Sequence, residues 1–245
     1  MIEKKEEKKE EKKEDKKDFG INLKDMTEAG LYFGHRISRI HPKMKPYISG
    51  TKNAVHIIDL EKTAENFKEA LDFIKDIISE EKVLLLIGTK IQVKNLVKET
   101  AEDCDLLYIN GRWLGGTFTN FKTIKKRIDY FKDLEKKKET GELKKYTKKE
   151  RIKIDRELMN LENKFGGIKN LEELPYAIFV LDMKKDALAV KEARKKGVMI
   201  IAIADTNVDP TLADYPIPAN DDAISSVKYI LEKIRKVIIG SKPKK

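Results

Sequence analysis

The sequence predicts an α/β fold: a parallel β-sheet covered by helices on both faces, with an antiparallel α-helical hairpin inserted into it. Three observations predict it. Short uninterrupted apolar runs at 82–87 (KVLLLI), 177–181 and 198–204 are the pattern of strands buried on both faces. Stretches with helical apolar spacing stand between them. Residues 120–165 break the alternation: Phe121, Ile124, Ile128, Phe131 and Leu134 recur every three or four positions, and so do Ile154, Leu158, Leu161 and Phe165. Two such stripes joined by polar chain around Gly141 predict two helices packed against each other and projecting from the sheet.

In chain order, residues 1–20 are a low-complexity tail. Its first 18 residues hold eight Lys and eight acids, with like charges four apart that oppose a helix, so the tail is expected to be disordered. A short helix is expected at 24–32, then an irregular basic stretch at 35–52 that Pro42 and Pro46 keep extended. Residues 55–58 form a strand, and Asp59 caps a helix at 61–79 whose inner positions are Phe67, Ala70, Leu71, Ile74 and Ile78. After the strand at 82–87 come a helix at 90–102 and a strand at 106–109. Past the hairpin, the strands at 177–181 and 198–204 flank a helix at 186–196. A last helix spans 221–238, before a basic C-terminal tail at 241–245. The sheet domain thus comprises 21–119 and 166–240.

Of the 245 residues, 38% are charged, well above the roughly 25% usual for soluble domains. The net charge is +10, and since the first 18 residues are balanced, all of it lies beyond them. Residues 121–164 alone carry sixteen Lys or Arg against nine acids. A folded body with that excess attracts polyanions. Cys104 is the single cysteine, which excludes an internal disulfide or a cysteine-based zinc site and suits a reducing cytoplasm. No apolar run approaches the roughly 18 residues of a membrane span.

Enzymatic signatures are missing. Gly88-Thr89-Lys90 lacks the long glycine loop of a phosphate-binding P-loop, and the dinucleotide fingerprint is absent. No nucleophile elbow occurs, and His35, His41 and His56 form no metal-binding helical pair. His56 is expected to be a hydrogen-bonded core or edge residue. Asp205, Asp209, Asp214, Asp221 and Asp222 gather in the loops after the last long strand. They could hold a divalent ion near Asp205 and Asp221, or act as turn and cap residues, which their Asn and Thr neighbours favour.

The nucleic-acid signal is stronger. Residues 29–58 contain no acid, while Arg36, Arg39, Lys43, Lys45 and Lys52 supply positive charge. Such a strip suits phosphate contacts, which position a protein without reading sequence. Arg112 and Trp113 form a second candidate patch, the guanidinium for phosphate and the indole for stacking or for the core. Lys122, Lys125 and Lys126 open the basic hairpin and complete the candidate RNA-contacting set.

Several runs resemble one family. Residues 26–35 (MTEAGLYFGH), 41–48 (HPKMKPYI), 55–63 (VHIIDLEKT) and 110–121 (NGRWLGGTFTNF) are similar to signatures of bacterial-type small-subunit ribosomal protein S two. Residues 166–168, 204–207, 209–210 and 217–224 fit its second half, in the same order. The resemblance implies a three-layer Rossmann-like (flavodoxin-like) fold with a protruding helical hairpin. It also implies a non-enzymatic, cytoplasmic ribosomal component. That component would contact small-subunit ribosomal RNA and neighbouring proteins and help recruit ribosomal protein S one. No cofactor, small-molecule substrate, membrane or functional homo-oligomer is implied. The tail at 1–18 lies outside the shared pattern. Ala219 and Met199 stand where the family leads one to expect Gly and Pro.

Overall fold

The computed structural model describes residues 19–242, so the expectations for 1–18 and 243–245 lie outside the described residues. Five strands form one parallel sheet: β4 (Leu84–Ile87), β5 (Leu107–Ile109), β6 (Ala177–Val180), β7 (Met199–Ala204) and β8 (Tyr215–Pro218). Their order is β5-β4-β6-β7-β8, with every neighbouring pair parallel. Alternate residues of each strand face opposite layers. Leu84, Leu86, Phe179, Ile201 and Ile203 join one core with α2 (Leu60–Ser79), α3 (Lys94–Asp103) and α7 (Ile224–Ser241). Phe19 and Ile21 pack partly buried against this layer. Leu85, Ile87, Ile178, Val180, Ile200 and Ala202 join the other core. Its helices are α4 (Phe121–Glu139), α5 (Lys148–Phe165) and α6 (Ala187–Lys196). The expected parallel sheet with helices on both faces is therefore present.

The helices follow their local signals. Asp59 caps α2 by accepting from the Glu61 amide at 3.1 Å. At α5, Thr147 and Glu150 form a reciprocal capping box. Tyr130 Oη donates to Glu157 at 3.1 Å and Lys138 pairs with Asp155 at 2.7 Å, both across α4 and α5. Ile128, Phe131, Leu158 and Leu161 make the apolar seam between these helices continuous with the sheet core.

Two segments differ from expectation. Residues 35–52 are not an extended irregular stretch. Strands β1 (Phe33–Arg36), β2 (Ile48–Lys52) and β3 (Val55–Ile58) form an antiparallel sheet of order β1-β3-β2. Pro42–Tyr47 is a 3-10 helix with Pro42 at its start, where a missing N–H costs nothing. Alternation in β1 and β2 is too weak to announce a strand, because their faces are largely exposed. The second segment is β8, whose Tyr-Pro-Ile-Pro does not look like a strand. Two prolines are tolerated because β8 is the sheet edge. Side chains of α2 satisfy it: Thr63 Oγ1 donates to the Pro218 carbonyl at 2.6 Å and Asn66 Nδ2 to that of Pro216 at 3.2 Å.

A short helix, α1 (Leu23–Glu28), packs Met26 into the first core. His56 is buried, but neither ring nitrogen has a hydrogen-bond partner among the described residues, contrary to the expected bonded histidine. Ala219 has an ordinary backbone conformation and is fully buried, so the departure from Gly leaves no strain there. Gly167 has a steric reason. A β-carbon there would be driven into the Tyr108 carbonyl oxygen and lie 2.8 Å from its ring. Gly167→Ala is expected to cost about 1–3 kcal/mol of stability, read as a lowered urea midpoint.

Candidate nucleic-acid interface

The predicted cations fall into three groups. The first rides on the small antiparallel sheet and its 3-10 turns. Arg36, Arg39, Lys45 and Lys52 are exposed, and their side chains make no hydrogen bond or ion pair among the described residues. Lys43 differs: its ammonium holds Asp209 at 2.8 Å and Thr211 at 2.8 Å, which ties this sheet to the loop after β7. The lysine and the Thr211 donors hold Asp209 down at about 2.

The second group is the loop after β5. Arg112 is exposed and without a side-chain partner among the described residues. Trp113 is only 6% exposed, packs edge-on against Phe118 at 5.0 Å, and aims its indole N–H at Glu192 at 3.5 Å. It packs into the core, one of the two roles its sequence context left open. The third group opens α4. Lys122 and Lys126 are exposed and unpartnered among the described residues, whereas Lys125 donates to the Glu172 carbonyl at 2.9 Å.

Glu192 organises the second group, and nothing local in its sequence announced it. Its carboxylate is 6% exposed and accepts from the amides of Gly116 (2.7 Å), Phe118 (3.0 Å) and Thr119 (3.1 Å). Burial raises the pKa, but these three amides outweigh it and hold the carboxylate below its ordinary value.

At the carboxyl ends of the strands lies a polar cluster that the sequence showed only in part. Lys90 reaches Asp182 at 2.8 Å, Asp221 at 2.8 Å and Asp222 at 2.9 Å. The helix expected from 90 starts at Lys94, after a turn in which the Lys94 amide donates to the Lys90 carbonyl at 3.0 Å. Burial alone would lower Lys90; the carboxylates outweigh it and hold the lysine well above its ordinary range. One ammonium shared among several acids leaves Asp221 raised, by burial first and then by repulsion from Asp182 and Asp205.

His35 extends the cluster. Its Nδ1 lies 3.1 Å from Asp205 and its Nε2 3.4 Å from Asp222. The bond to Asp205 raises its pKa against burial, which favours the imidazolium. Among the described residues, no three metal-ligating side chains converge on one point.

Asp186 stands apart, accepting from Thr89 Oγ1 at 2.8 Å. Burial pushes its carboxyl up to about 6, against the opposing Thr89 bonds. A raised carboxyl favours the folded state least once ionised, so its penalty is absent below pH 4 and complete above pH 6. Asp186→Asn should therefore gain on the wild type as pH rises from 4 to 7, by on the order of 2–3 kcal/mol. Paired urea titrations at the two pH values would measure it.

Comparison with known proteins adds to this geometry. The family model described as Ribosomal protein S2 matches residues 26–241. The chain is 47% identical over 222 residues to the small ribosomal subunit protein uS2 of Dictyoglomus thermophilum, covering 91% of this chain and 90% of the relative. It is 44% identical over 222 residues to the uS2 protein of Nitratiruptor sp., covering 91% and 83%. With a match that takes in the sheet, the cationic loops and the strand-end cluster alike, the chain belongs to the ribosomal protein S2 family.

Proposed function

We propose that this chain is a non-enzymatic structural constituent of the small ribosomal subunit, working in the cytoplasm, that grips ribosomal RNA through uncommitted surface cations. The observation that carries this reading is the state of those cations. Arg36, Arg39, Lys45, Lys52, Arg112, Lys122 and Lys126 are exposed and lack internal partners among the described residues. Free cations on a rigid body are available to phosphates. The relatives' names point to the same particle. On this reading α4 and α5 are an inserted hairpin, spanning 120–165, that extends the cationic surface beyond the sheet domain of 21–119 and 166–240. No helix among the described residues is long and apolar enough to cross a membrane.

Lys90 and a protonated His35 neutralise the strand-end acids in this reading. A divalent ion near Asp205 and Asp221 would compete with them, and the resting protein needs no cofactor or small-molecule substrate. The family resemblance extends the role to neighbouring ribosomal proteins and to recruitment of ribosomal protein S one. The chain acts without forming a homo-oligomer.

Sedimentation tests the reading. The chain should travel with small subunits at low salt and leave them at high salt. Reversing Arg36, Arg39, Lys45 and Lys52 to Glu should reduce the slope of log K against log salt by about one for each phosphate no longer neutralised. Particles lacking the chain should also be short of ribosomal protein S one. Recovery of the chain only in the soluble fraction would overturn the proposal.

A further inference from the structure

The carboxyl end of the parallel sheet has two halves of opposite character. Towards β7 and β8 lie the acids that close on Lys90 and His35 and outnumber them. Over β4, β5 and β6 there is an open cavity of about 940 Å3. It sits where the connection leaving β4 runs to β5 on one side of the sheet and the connection leaving β6 runs to β7 on the other. In open α/β sheets this is the crevice where ligands bind.

Three cations from separate segments rim it: Arg112 after β5, Lys164 near the end of α5, and Lys185 before α6. All three are exposed, and none makes a side-chain hydrogen bond or ion pair among the described residues. The one carboxylate on the wall, Asp186, is buried and committed to Thr89. Apolar surface is supplied by Leu114 and by Leu188, which is 48% exposed. Three cations against one buried wall carboxylate, beside an apolar wall, match a phosphate joined to a flat, weakly polar group.

We propose that this cavity seats a nucleoside phosphate, with Arg112, Lys164 and Lys185 on the phosphate and Leu114 and Leu188 against the base. The proposal deepens the RNA-binding reading and rests on it: the nucleotide is an unpaired one of an RNA strand. Unpaired bases are what proteins take into such pockets, because paired bases are already stacked. No glycine-rich phosphate loop is needed, since side chains rather than backbone amides hold the anion.

Trp113, the single tryptophan, lines the cavity and reports on it. The full chain is titrated with a 5′-phosphorylated single-stranded RNA tetranucleotide, with adenosine 5′-monophosphate and with inorganic phosphate, while tryptophan emission is followed. The tetranucleotide should give a saturable change. Arg112→Ala/Lys185→Ala should weaken it by about tenfold or more, the effect of losing a charged hydrogen bond. Lys164→Ala, a second variant at an exposed and unpartnered position, should weaken it in the same sense if the double variant folds poorly. Equal affinity for the mononucleotide would support the site and make a free nucleotide its source. Inorganic phosphate binding as tightly as the nucleotides would overturn the role of the base. No saturable change with any probe, or variants that bind like the wild type, would overturn the site. Sedimentation with small subunits, run on the same samples, separates the two ideas: a chain that sediments but shows no saturable response refutes the cavity alone.

Discussion

Lys90→Met is expected to lower stability by about 3 kcal/mol or more, the scale for removing one partner of a buried ion pair. For a chain of 245 residues this is a fall in Tm of roughly 10 °C. Lys90 is 17% exposed and holds Asp182 and Asp221, which are 6% and 2% exposed. Without it those carboxylates face one another. The sign with pH is fixed. The raised Lys90 contributes fully at all pH values below its ordinary 10.5, so wild-type stability from this group is flat between pH 4 and 8. In the variant, Asp221 protonates at still higher pH, so the deficit should shrink as pH falls from 7 towards 4. Adding Asp221→Asn to Lys90→Met should recover part of the loss. Calorimetry at pH 5 and pH 7 would check both statements. A Lys90→Met protein as stable as wild type at pH 7 would show that solvent, not the lysine, neutralises the acids.

Glu192→Leu is expected to cost about 4 kcal/mol. It removes the acceptor of three backbone amides, the Thr119 hydroxyl at 3.2 Å and the Trp113 indole. Each buried donor left unpaired costs about 1–3 kcal/mol, less where water can enter. Glu192→Gln should lose roughly half as much. Its one amide oxygen can serve either Gly116 or the Phe118 and Thr119 pair, but not both sides at once. The depressed Glu192 stabilises the wild type above its ordinary 4.5, and that stability is lost as pH falls through the lowered value. Trp113 emission should shift to the red in Glu192→Leu as the loop opens. Unchanged emission would mean that packing on Phe118, not the carboxylate, holds the loop.

Both positions show where sequence patterns stop. The Gly88-Thr89-Lys90 run draws attention only as a failed P-loop. The lysine's task becomes visible when Asp221, 131 positions away, comes within 2.8 Å. Likewise, Lys43 belongs with the free cations of 35–52 until the fold sets it on Asp209, 166 positions on. Lys164 and Lys185 give no signal in a chain so rich in lysine; only a shared cavity distinguishes them. Glu192 lies on an amphipathic helix among many charged residues, and its burial against a loop some 75 positions earlier leaves no periodic trace.

By itself, the sequence determined the buried strands β4, β6 and β7, the helices that cover them, the two stripes of α4 and α5, and the surplus of positive charge. These follow from apolar spacing and composition, which are local properties and survive without knowledge of neighbours. Tertiary structure alone decided that β1 and β2 pair with β3, that Tyr-Pro-Ile-Pro serves as an edge strand, and that Trp113 turns inward. It also decided which cations are neutralised and which stay free. Those outcomes depend on which distant segments become adjacent, and an ion pair, an edge or an open cavity exists only once strand order has brought them together.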